Sequence, residues 1–449
     1  MHSKVHKNIF YLPSLSVRHQ AISSYCTKLD QTQWFSNSEI ENLQYQNFLK
    51  LISHVLRYTP YYQKKLRGID LSSIRDLSDI KKLPFLEKGD LKIHSDALLS
   101  INGKRGFKKT TGGSTGNPVT VYQSANAIAA ADAAYWRGFG WAGIDMCDKQ
   151  ARFWGMPRNR KDIVLTKVKD FILNRKRCSA FSFGEDDMFR YYHRLNKFRP
   201  KFIYGYVSML EEFSKFMIKN NVSLKHSPVC VVTTSEVLTD YHRELICTAF
   251  QCRVYNEYGC GEVGTIAHEC EFGSMHINAE NAIVEIVQDN VVVDDGESGE
   301  IVVTDLNNFA MPLVRYKLKD IGYIDPTPCA CGRGLPVLGE VKGRAYDTIY
   351  NRSGQAFHGE YFLYLFEDLQ RLGVEVSGFQ VIQNFYDNFT IKIIMHRSEF
   401  KNLVENYILE KVQESFGSDV YIKFLYVERI DREKSGKIRL IKSTVSRAG

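Results

Sequence analysis

Between Thr110 and about Asp320 the chain alternates short apolar, often β-branched runs with segments of helical periodicity, as in PKFIYGYVSMLEEFSKFMIK, PVCVVTTSEVLTDYHRELICTAF and CRVYNEYG. Strands that alternate with helices bury their apolar faces by stacking in layers, so this region predicts an α/β fold. After Asn278 the pattern changes to NAIVEIVQDNVVVDDGESGEIVVTDL, where β-branched runs flank DDGESGE and predict a β-hairpin. A last segment, from Arg344, offers strand-turn-strand in FQVIQNFYDNFTIKIIMH, a helix in SEFKNLVENYILEKVQESF and a strand in DVYIKFLYV, the order of a small α+β domain. At the other end, IENLQYQNFLKLISHVLRYTPYYQKKL has apolar residues at helical spacing and LPFLEKGDL reads as extended, together an N-terminal cap. The expected organisation is a large α/β N-terminal domain over residues 1–343 and a small α+β C-terminal domain over 344–449.

With 449 residues the chain is long enough for a large domain plus a smaller one. Its formal charge of +8 is modest for that length; it suits attraction of ATP or another polyanion but points to no nucleic-acid partner. The densest basic stretch, PRNRKDIVLTKVKDFILNRKR from Pro157, mixes aspartates and apolar residues in a helical pattern and is expected to be a solvated helix face. No apolar run approaches the ~20 residues needed to cross a bilayer. The most apolar stretch, Asn126 to Ile144, contains Asp132 and Arg137 and is assigned to a core. The N-terminus, MHSKVHKNIFYLPSLSV, shows no clear cleavage pattern, and ten cysteines scattered without a dense framework agree with reduced thiols. A cytoplasmic location is therefore expected.

The stretch KKTTGGSTGNPVTVY from Lys108 crowds hydroxyls and flexible positions before a short alternating strand. Such clusters mark ordinary surface loops. Beside a strand, a loop of small residues can also turn its backbone N–H groups onto an anion while hydroxyls add donors. Triphosphate is the ligand this chemistry suits. A GxxxxGK[ST] loop needs Lys directly after its last Gly; Asn117 stands there, so a different class of nucleotide enzyme is implied.

Cys270 and His276 lie in CEFGSMH, and Cys329 and Cys331 form CAC. Two such pairs from separate loops can close a tetrahedral zinc site, and four protein ligands leave no open position, so the metal would be structural. The tight C-x-C spacing weakens the signal, and free cysteines in a core are the competing reading. The acidic flank ECEFGSMHINAEN argues against a zinc-dependent nucleic-acid module.

Six motifs occur together in order: TTGGSTGNPV, TTSEVL, YNEYGCGEVG, MPLVRYKLKDIG, GRAYDTI and SGKIR. They resemble the adenylate-forming (AMP-forming) ligase superfamily. The two ligand pairs, CGRGLPVL, RYTPYYQKKL and LPFLEKGDL look like the phenylacetate-CoA ligase family, and FWGMPRNRK and PKFIYGYVSML like its branch associated with capsule and other surface-polysaccharide gene clusters. The resemblance spans the chain from about Ile40 and implies an adenylation domain with a mobile C-terminal lid. It implies that Thr110, Thr111, Gly112, Gly113, Ser114, Thr115 and Gly116 hold the β- and γ-phosphates, and that Ser235, Glu236, Asn256, Glu257 and Tyr258 wall the adenine. Glu262 falls where the family binds magnesium, a hard cation that takes oxygen ligands. Asp320 matches the acid that grips the ribose, Arg344 the ribose and phosphate contact, Asp347 the hinge, and Lys437 the mobile lysine set where negative charge gathers in the transition state. In one departure, Gly261 replaces the family's Ser or Thr before the magnesium-binding acid, with Cys260 beside it.

The activity implied is a two-step ligation. A carboxylate attacks the α-phosphate of ATP, pyrophosphate leaves, and an acceptor takes the acyl group from AMP. The acceptor is coenzyme A by family default; an amine of an amino acid or amino sugar, giving an amide in capsule or O-antigen polysaccharide, is the alternative, and a non-catalytic ATP-binding scaffold ranks below both. Tyr135, Trp136, Phe139 and Trp141 on the helix after the phosphate loop, with Tyr204 and Tyr206, are candidates for the acyl pocket, although aromatics at that spacing also build cores. The expected cofactors are ATP, magnesium and structural zinc. The expected partners are a small-molecule or sugar-linked carboxylic acid and its acceptor, with no nucleic acid, no transmembrane segment and a homodimer left open.

Overall fold

A computed structural model of the chain describes residues 3–17, 21–102, 106–111, 119–155, 160–179, 185–341, 349–357, 359–374, 376, 378–395, 397–428, 430 and 440–445. The N-terminal part is helical, with α1 (Ile22–Thr32) and α2 (Asn37–Tyr58). Helix α2 starts at a capping box in which Ser36 accepts from the Glu39 N–H and Glu39 accepts from the Ser36 N–H. It buries Ile40, Gln44, Phe48, Leu51, Ile52 and Val55, the stripe its sequence spacing predicts. LPFLEKGDL is extended only as far as Leu86, which bridges to Tyr316. From Lys88 to Ile93 it is a short helix, because Glu87 and Asp90 close another capping box.

A hairpin of β1 (Phe107–Thr111) and β2 (Val119–Gln123) frames the glycine-rich loop. Helix α3 (Ala125–Trp141) follows, and then strands and helices alternate as the sequence predicts: β3 (Gln150–Trp154), α4 (Arg160–Ile172), β4 (Arg175–Ser179), α5 (Glu185–Phe198), β5 (Phe202–Tyr206), α6 (Val207–Lys219), β6 (Cys230–Thr234), α7 (Asp240–Phe250) and β7 (Arg253–Cys260). The antiparallel strands β8 (Gly264–Glu269) and β9 (Met275–Ile277) extend the sheet. Within the basic stretch the helix runs from Arg160 to Ile172; Asn174 has a φ of 53°, and the chain turns there into β4. The outward side of α4 exposes Lys161, Lys167 and Lys169, the solvated basic face expected, and beside them apolar Val164, Leu165, Val168 and Phe171, which the sequence reading did not single out.

The predicted hairpin after Asn278 forms between β10 (Ala282–Gln288) and β12 (Gly299–Asp305), joined by β11 (Val291–Val292) and β13 (Tyr316–Gly322) in the order β11-β10-β12-β13. Two short strands, β14 (Ile324–Asp325) and β15 (Val337–Leu338), return to the main sheet, whose order among the described residues is β14-β15-β9-β8-β7-β6-β5-β3-β4. From β3 the chain steps outward to the edge strand β4 and then returns to the other side of β3 as β5, all in parallel. Such a reversal leaves a crevice at the carboxyl ends of the strands, where ligands of open α/β sheets sit.

The C-terminal part contains a small hairpin, β16 (Ile349–Tyr350) with β17 (Ala356–Phe357), helices α8 (Glu360–Arg371) and α9 (Lys401–Phe416), and a sheet of β18 (Gly378–Phe385), β19 (Asn388–Ile394), β20 (Tyr421–Tyr426) and β21 (Ile441–Ser443). It has its own core, including Phe362, Phe366, Val381, Phe389, Ile408 and Val412. The expected boundary at residues 343 and 344 lies outside the described residues. Among the described residues, no helix is long and apolar enough to cross a membrane.

Candidate functional site

A cavity of about 1130 Å³ opens at the carboxyl ends of β3, β5, β6 and β7. Thr110, Ser235, Glu236, Asn256, Glu257, Tyr258, Glu262 and Asp320 all line it. They arrive from four separate segments: the β1 hairpin, the loop after β6, the β7–β8 hairpin, and β13. Residues 112–118 of the glycine-rich loop, Arg344, Asp347 and Lys437 lie outside the described residues, and nothing is described of the Thr111 side chain.

Local backbone chemistry sets these positions. Ser235 has a φ of 69°, a left-handed turn that ends β6. At Gly259 a Cβ would stand 2.3 Å from the backbone oxygen of Gly264, so β7 and β8 approach this closely only without a side chain. That close turn carries Gly261 and Glu262, with the Glu262 carbonyl accepting from Gln123 at 3.5 Å. The Tyr258 hydroxyl donates to Asp320 at 2.9 Å, coupling β7 to β13 across the cavity.

Neighbouring residues of β7 face opposite ways, as the two-residue period of a strand requires. The Asn256 side-chain oxygen accepts from Thr233 at 2.9 Å, and the Asn256 backbone N–H donates at 2.8 Å to Glu269, which Arg243 holds through two 3.0 Å bonds. Glu257 points the other way. Its carboxylate accepts from the Tyr204 hydroxyl at 2.6 Å and lies 4.0 Å from His268 Nε2. Glu257 is thus placed with the aromatic floor of the cavity, not alongside Asn256 and Tyr258 as the motif suggested. Burial pushes its carboxyl up, against the Tyr204 hydrogen bond and the Arg152 charge, and burial, aided by Arg137, pushes His268 down to about 3.

Of the aromatics expected in an acyl pocket, Tyr206 lines the cavity. Tyr204 is buried under Trp154, their rings 5.5 Å apart and nearly parallel. The α3 aromatics do not reach the cavity. Phe139 is fully buried against Tyr135 (4.0 Å), Phe202 (5.3 Å) and Tyr204 (5.5 Å) between helix and sheet. Trp136 turns to the N-terminal segment and donates to the Tyr11 hydroxyl at 3.1 Å, while Trp141 donates to Gln33. A helix laid on a sheet buries its apolar side, and these residues are that side.

The sequence reading missed Trp154, whose ring lies 4.2 Å from that of Tyr206 with the Arg152 guanidinium 4.3 Å above it. Its signal was its place as the last residue of a parallel strand, where the crevice opens. Lys88, Lys109, Arg243, Tyr364 and Arg371 also line the cavity. The last two belong to α8: the Tyr364 hydroxyl is 3.3 Å from that of Tyr206, and Arg371 is 3.7 Å from Asp162. No local pattern announces a contact between domains.

The four predicted metal ligands meet. Cys270, His276, Cys329 and Cys331 each bring a donor atom within 4.8 Å of the others. His276 Nε2 is 3.2 Å from Cys331 Sγ, and Cys270 Sγ is 3.7 Å from Cys329 Sγ. His276 Nδ1 sits 3.0 Å from the Leu335 carbonyl, which can accept its N–H and leave Nε2 as the nitrogen free to ligate. Backbone N–H groups of Phe272, Cys331 and Arg333 point at the three sulfurs at 3.3, 3.5 and 3.5 Å. Three sulfurs and one imidazole at this spacing fit a closed tetrahedral zinc site.

Residues 350–444 match the family model described as the CapK C-terminal domain. Over 415 residues the chain is 24% identical to protein CapK of Staphylococcus aureus, covering 90% of this chain and 89% of that protein. Over 344 residues it is 25% identical to the phenylacetate-coenzyme A ligase of Thermus thermophilus, with 70% and 72% covered. A crystal structure of 2-hydroxyisobutyryl-CoA ligase in an open conformation with 2-HIB-AMP and CoA has a TM-score of 0.59 at 16% identity, covering 91% of this chain and 92% of that one. The two share a fold.

Proposed function

We propose that this chain, which is homologous to CapK and to the phenylacetate-coenzyme A ligases, is an ATP-dependent ligase that forms an acyl-adenylate. One observation carries the reading: eight residues matched to nucleotide or magnesium roles by motif, from four distant segments, line one cavity at the strand ends. In this reading adenine lies between the Ser235–Glu236 turn and the face of β7 that carries Asn256 and Tyr258. Asp320, oriented by the Tyr258 hydroxyl, accepts from the ribose hydroxyls. Thr110 and the glycine-rich loop after it hold the phosphates, and Glu262 supplies a carboxylate for magnesium, which when bound offsets phosphate charge. The acid rests over Trp154 and Tyr206, with Tyr204 and Glu257 below them.

A carboxylate oxygen of the acid bonds to the α-phosphorus as the bond to the bridging oxygen of pyrophosphate breaks. The acceptor then attacks the acyl carbon and AMP leaves. Lys437 and Arg344 are assigned to these steps by motif, and Asp347 to the hinge. Tyr364 and Arg371 bring the C-terminal domain to the cavity rim, the side from which a lysine of that domain would meet the reacting carboxylate. Gly261 offers no hydroxyl there, and the Cys260 thiol, pushed up by burial and by Glu262, is only a weak donor. The acceptor is the thiol of coenzyme A, the substrate named for the Thermus relative. Cys270, His276, Cys329 and Cys331 hold a structural zinc that ties β9 to the loop before β15.

The test is carboxylate-dependent release of pyrophosphate from ATP and magnesium across aryl, fatty, amino and uronic acids, followed by coenzyme A or amines as acceptors. One acid class should give release, and Lys437→Ala should lower it by at least ~10²-fold, the scale of one lost transition-state donor. Silence across the panel from protein that binds ATP would leave a scaffold and refute the ligase. Amide formation without thioester would replace coenzyme A by an amine.

A further inference from the structure

We propose that the groove between α4, β4 and α5 binds the phosphate headgroups of an anionic membrane surface, with the outward face of α4 laid into the lipid. The groove, of about 1220 Å³, runs along the edge strand of the main sheet and shares no lining residue with the nucleotide cavity. Lys167 of α4, Arg175 and Lys176 of β4, and Arg190, Arg194 and Lys197 of α5 line it together with Arg177. Two carboxylates stand among the described lining residues: Asp170, which Arg177 holds through two 2.9 Å bonds, and Asp187, paired with Arg190. Two carboxylates against seven cations leave an excess of five positive charges in one groove of a chain whose whole formal charge is +8.

Arg175 concentrates the demand for an anion. It is 9% exposed, and its Nε is buried without a hydrogen-bond partner among the described residues. Asp170 is the carboxylate whose charge acts on it, while Arg152 and Arg177 act against it, so its charge is only partly offset and adds to the positive field of the groove.

The ligand must also cover an apolar face. Val164, Leu165, Val168 and Phe171 are each more than half exposed, at spacings that put them on one side of α4. Phe171 lines the groove as well, so the apolar stripe runs into the cations. Phe10 packs 5.2 Å from Phe171, and its neighbour Ile9 is also exposed. A helix that turns its apolar side outward beside lysines is built to lie in a lipid interface, where anionic headgroups meet the cations. A soluble polyphosphate or a nucleic acid would satisfy the charges and leave the stripe wet. A second copy seated about a two-fold axis would set one positive groove near the other.

The full-length protein is sedimented with phosphatidylcholine vesicles with and without phosphatidylglycerol. It should pellet with the anionic vesicles alone, and less as salt rises. Leu165→Ser with Val168→Ser, and separately Lys167→Gln with Lys176→Gln, should each lower the partition roughly 10-fold, with thermal melts and ATP binding unchanged. Failure to pellet with anionic vesicles overturns the proposal. So does binding of inorganic pyrophosphate or an RNA oligonucleotide without vesicle binding. A dimer in light scattering that the Leu165/Val168 variant splits, again without vesicle binding, overturns it too.

Discussion

Tyr258→Phe removes one oxygen and tests the nucleotide reading where two strands meet. The hydroxyl donates to Asp320 at 2.9 Å, and a hydrogen bond to a charged acceptor is worth roughly 1.5–3 kcal/mol. Both groups lie at the wall of an open cavity and are part-buried, so the lower figure applies. About 1.4 kcal/mol is tenfold in affinity, so the variant should bind ATP with magnesium roughly tenfold more weakly. The phenyl ring keeps its packing, and the melting temperature should barely move. Isothermal titration calorimetry with ATP needs no knowledge of the acid. The sharper form is a cycle with Asp320→Ala: if Tyr258 acts only by orienting that carboxylate, the double variant binds no more weakly than Asp320→Ala alone. A Tyr258→Phe affinity within twofold of wild type, or additive losses in the cycle, would refute the arrangement.

Protein purified without chelator should carry one zinc per chain by elemental analysis, and Cys331→Ser should release it and lower the melting temperature by at least ~5 °C while ATP affinity changes little; metal-free wild-type protein would end the four-ligand reading. Gly259→Ala forces a methyl into the Gly264 carbonyl and should cost about 2 kcal/mol or more in urea unfolding while displacing Glu262; wild-type stability would show that the hairpin yields. His268 is buried neutral, its folded value pushed down to about 3 from an ordinary 6.5. The unfolded chain binds the extra proton between those values, so stability should fall as pH drops from about 6.5 toward 3, by at most ~1.4 kcal/mol per pH unit. Glu257, whose carboxyl burial raises, works in the opposite sense, so the measure is the difference in slope between wild type and His268→Leu; equal slopes would remove His268 from the acid limb.

Among the described residues the C-terminal domain meets the cavity through Tyr364 and Arg371. The part-buried Tyr206–Tyr364 hydroxyl contact and the exposed Arg371–Asp162 pair are polar, while Tyr350 packs against the core of the main sheet; polar contacts of that kind are compatible with domain motion. A lid that rotates would break both at little cost, as the proposed two-step ligation asks.

Strand-helix alternation, the hairpin at DDGESGE and the α+β order of the last hundred residues were legible in the sequence, because each depends on periodicity within a few neighbours. Short motifs also singled out Thr110, Ser235, Asn256, Glu262 and Asp320, which the fold brings to one cavity, and residue type singled out Cys270, His276, Cys329 and Cys331, whose donor atoms converge. The sequence could not tell which way a side chain faces once its element is packed. Glu257 looks like a partner of Asn256 in the string YNEYG and stands on the other side of β7. Trp136 and Phe139 look like a pocket and are core, while Trp154, one aromatic in FWGMP, reaches the cavity because the chain reverses between β4 and β5. The outward stripe of α4 was hidden in a basic run for the same reason. Local pattern decides what an element is; which of its faces is buried depends on the neighbours that the whole chain brings to it.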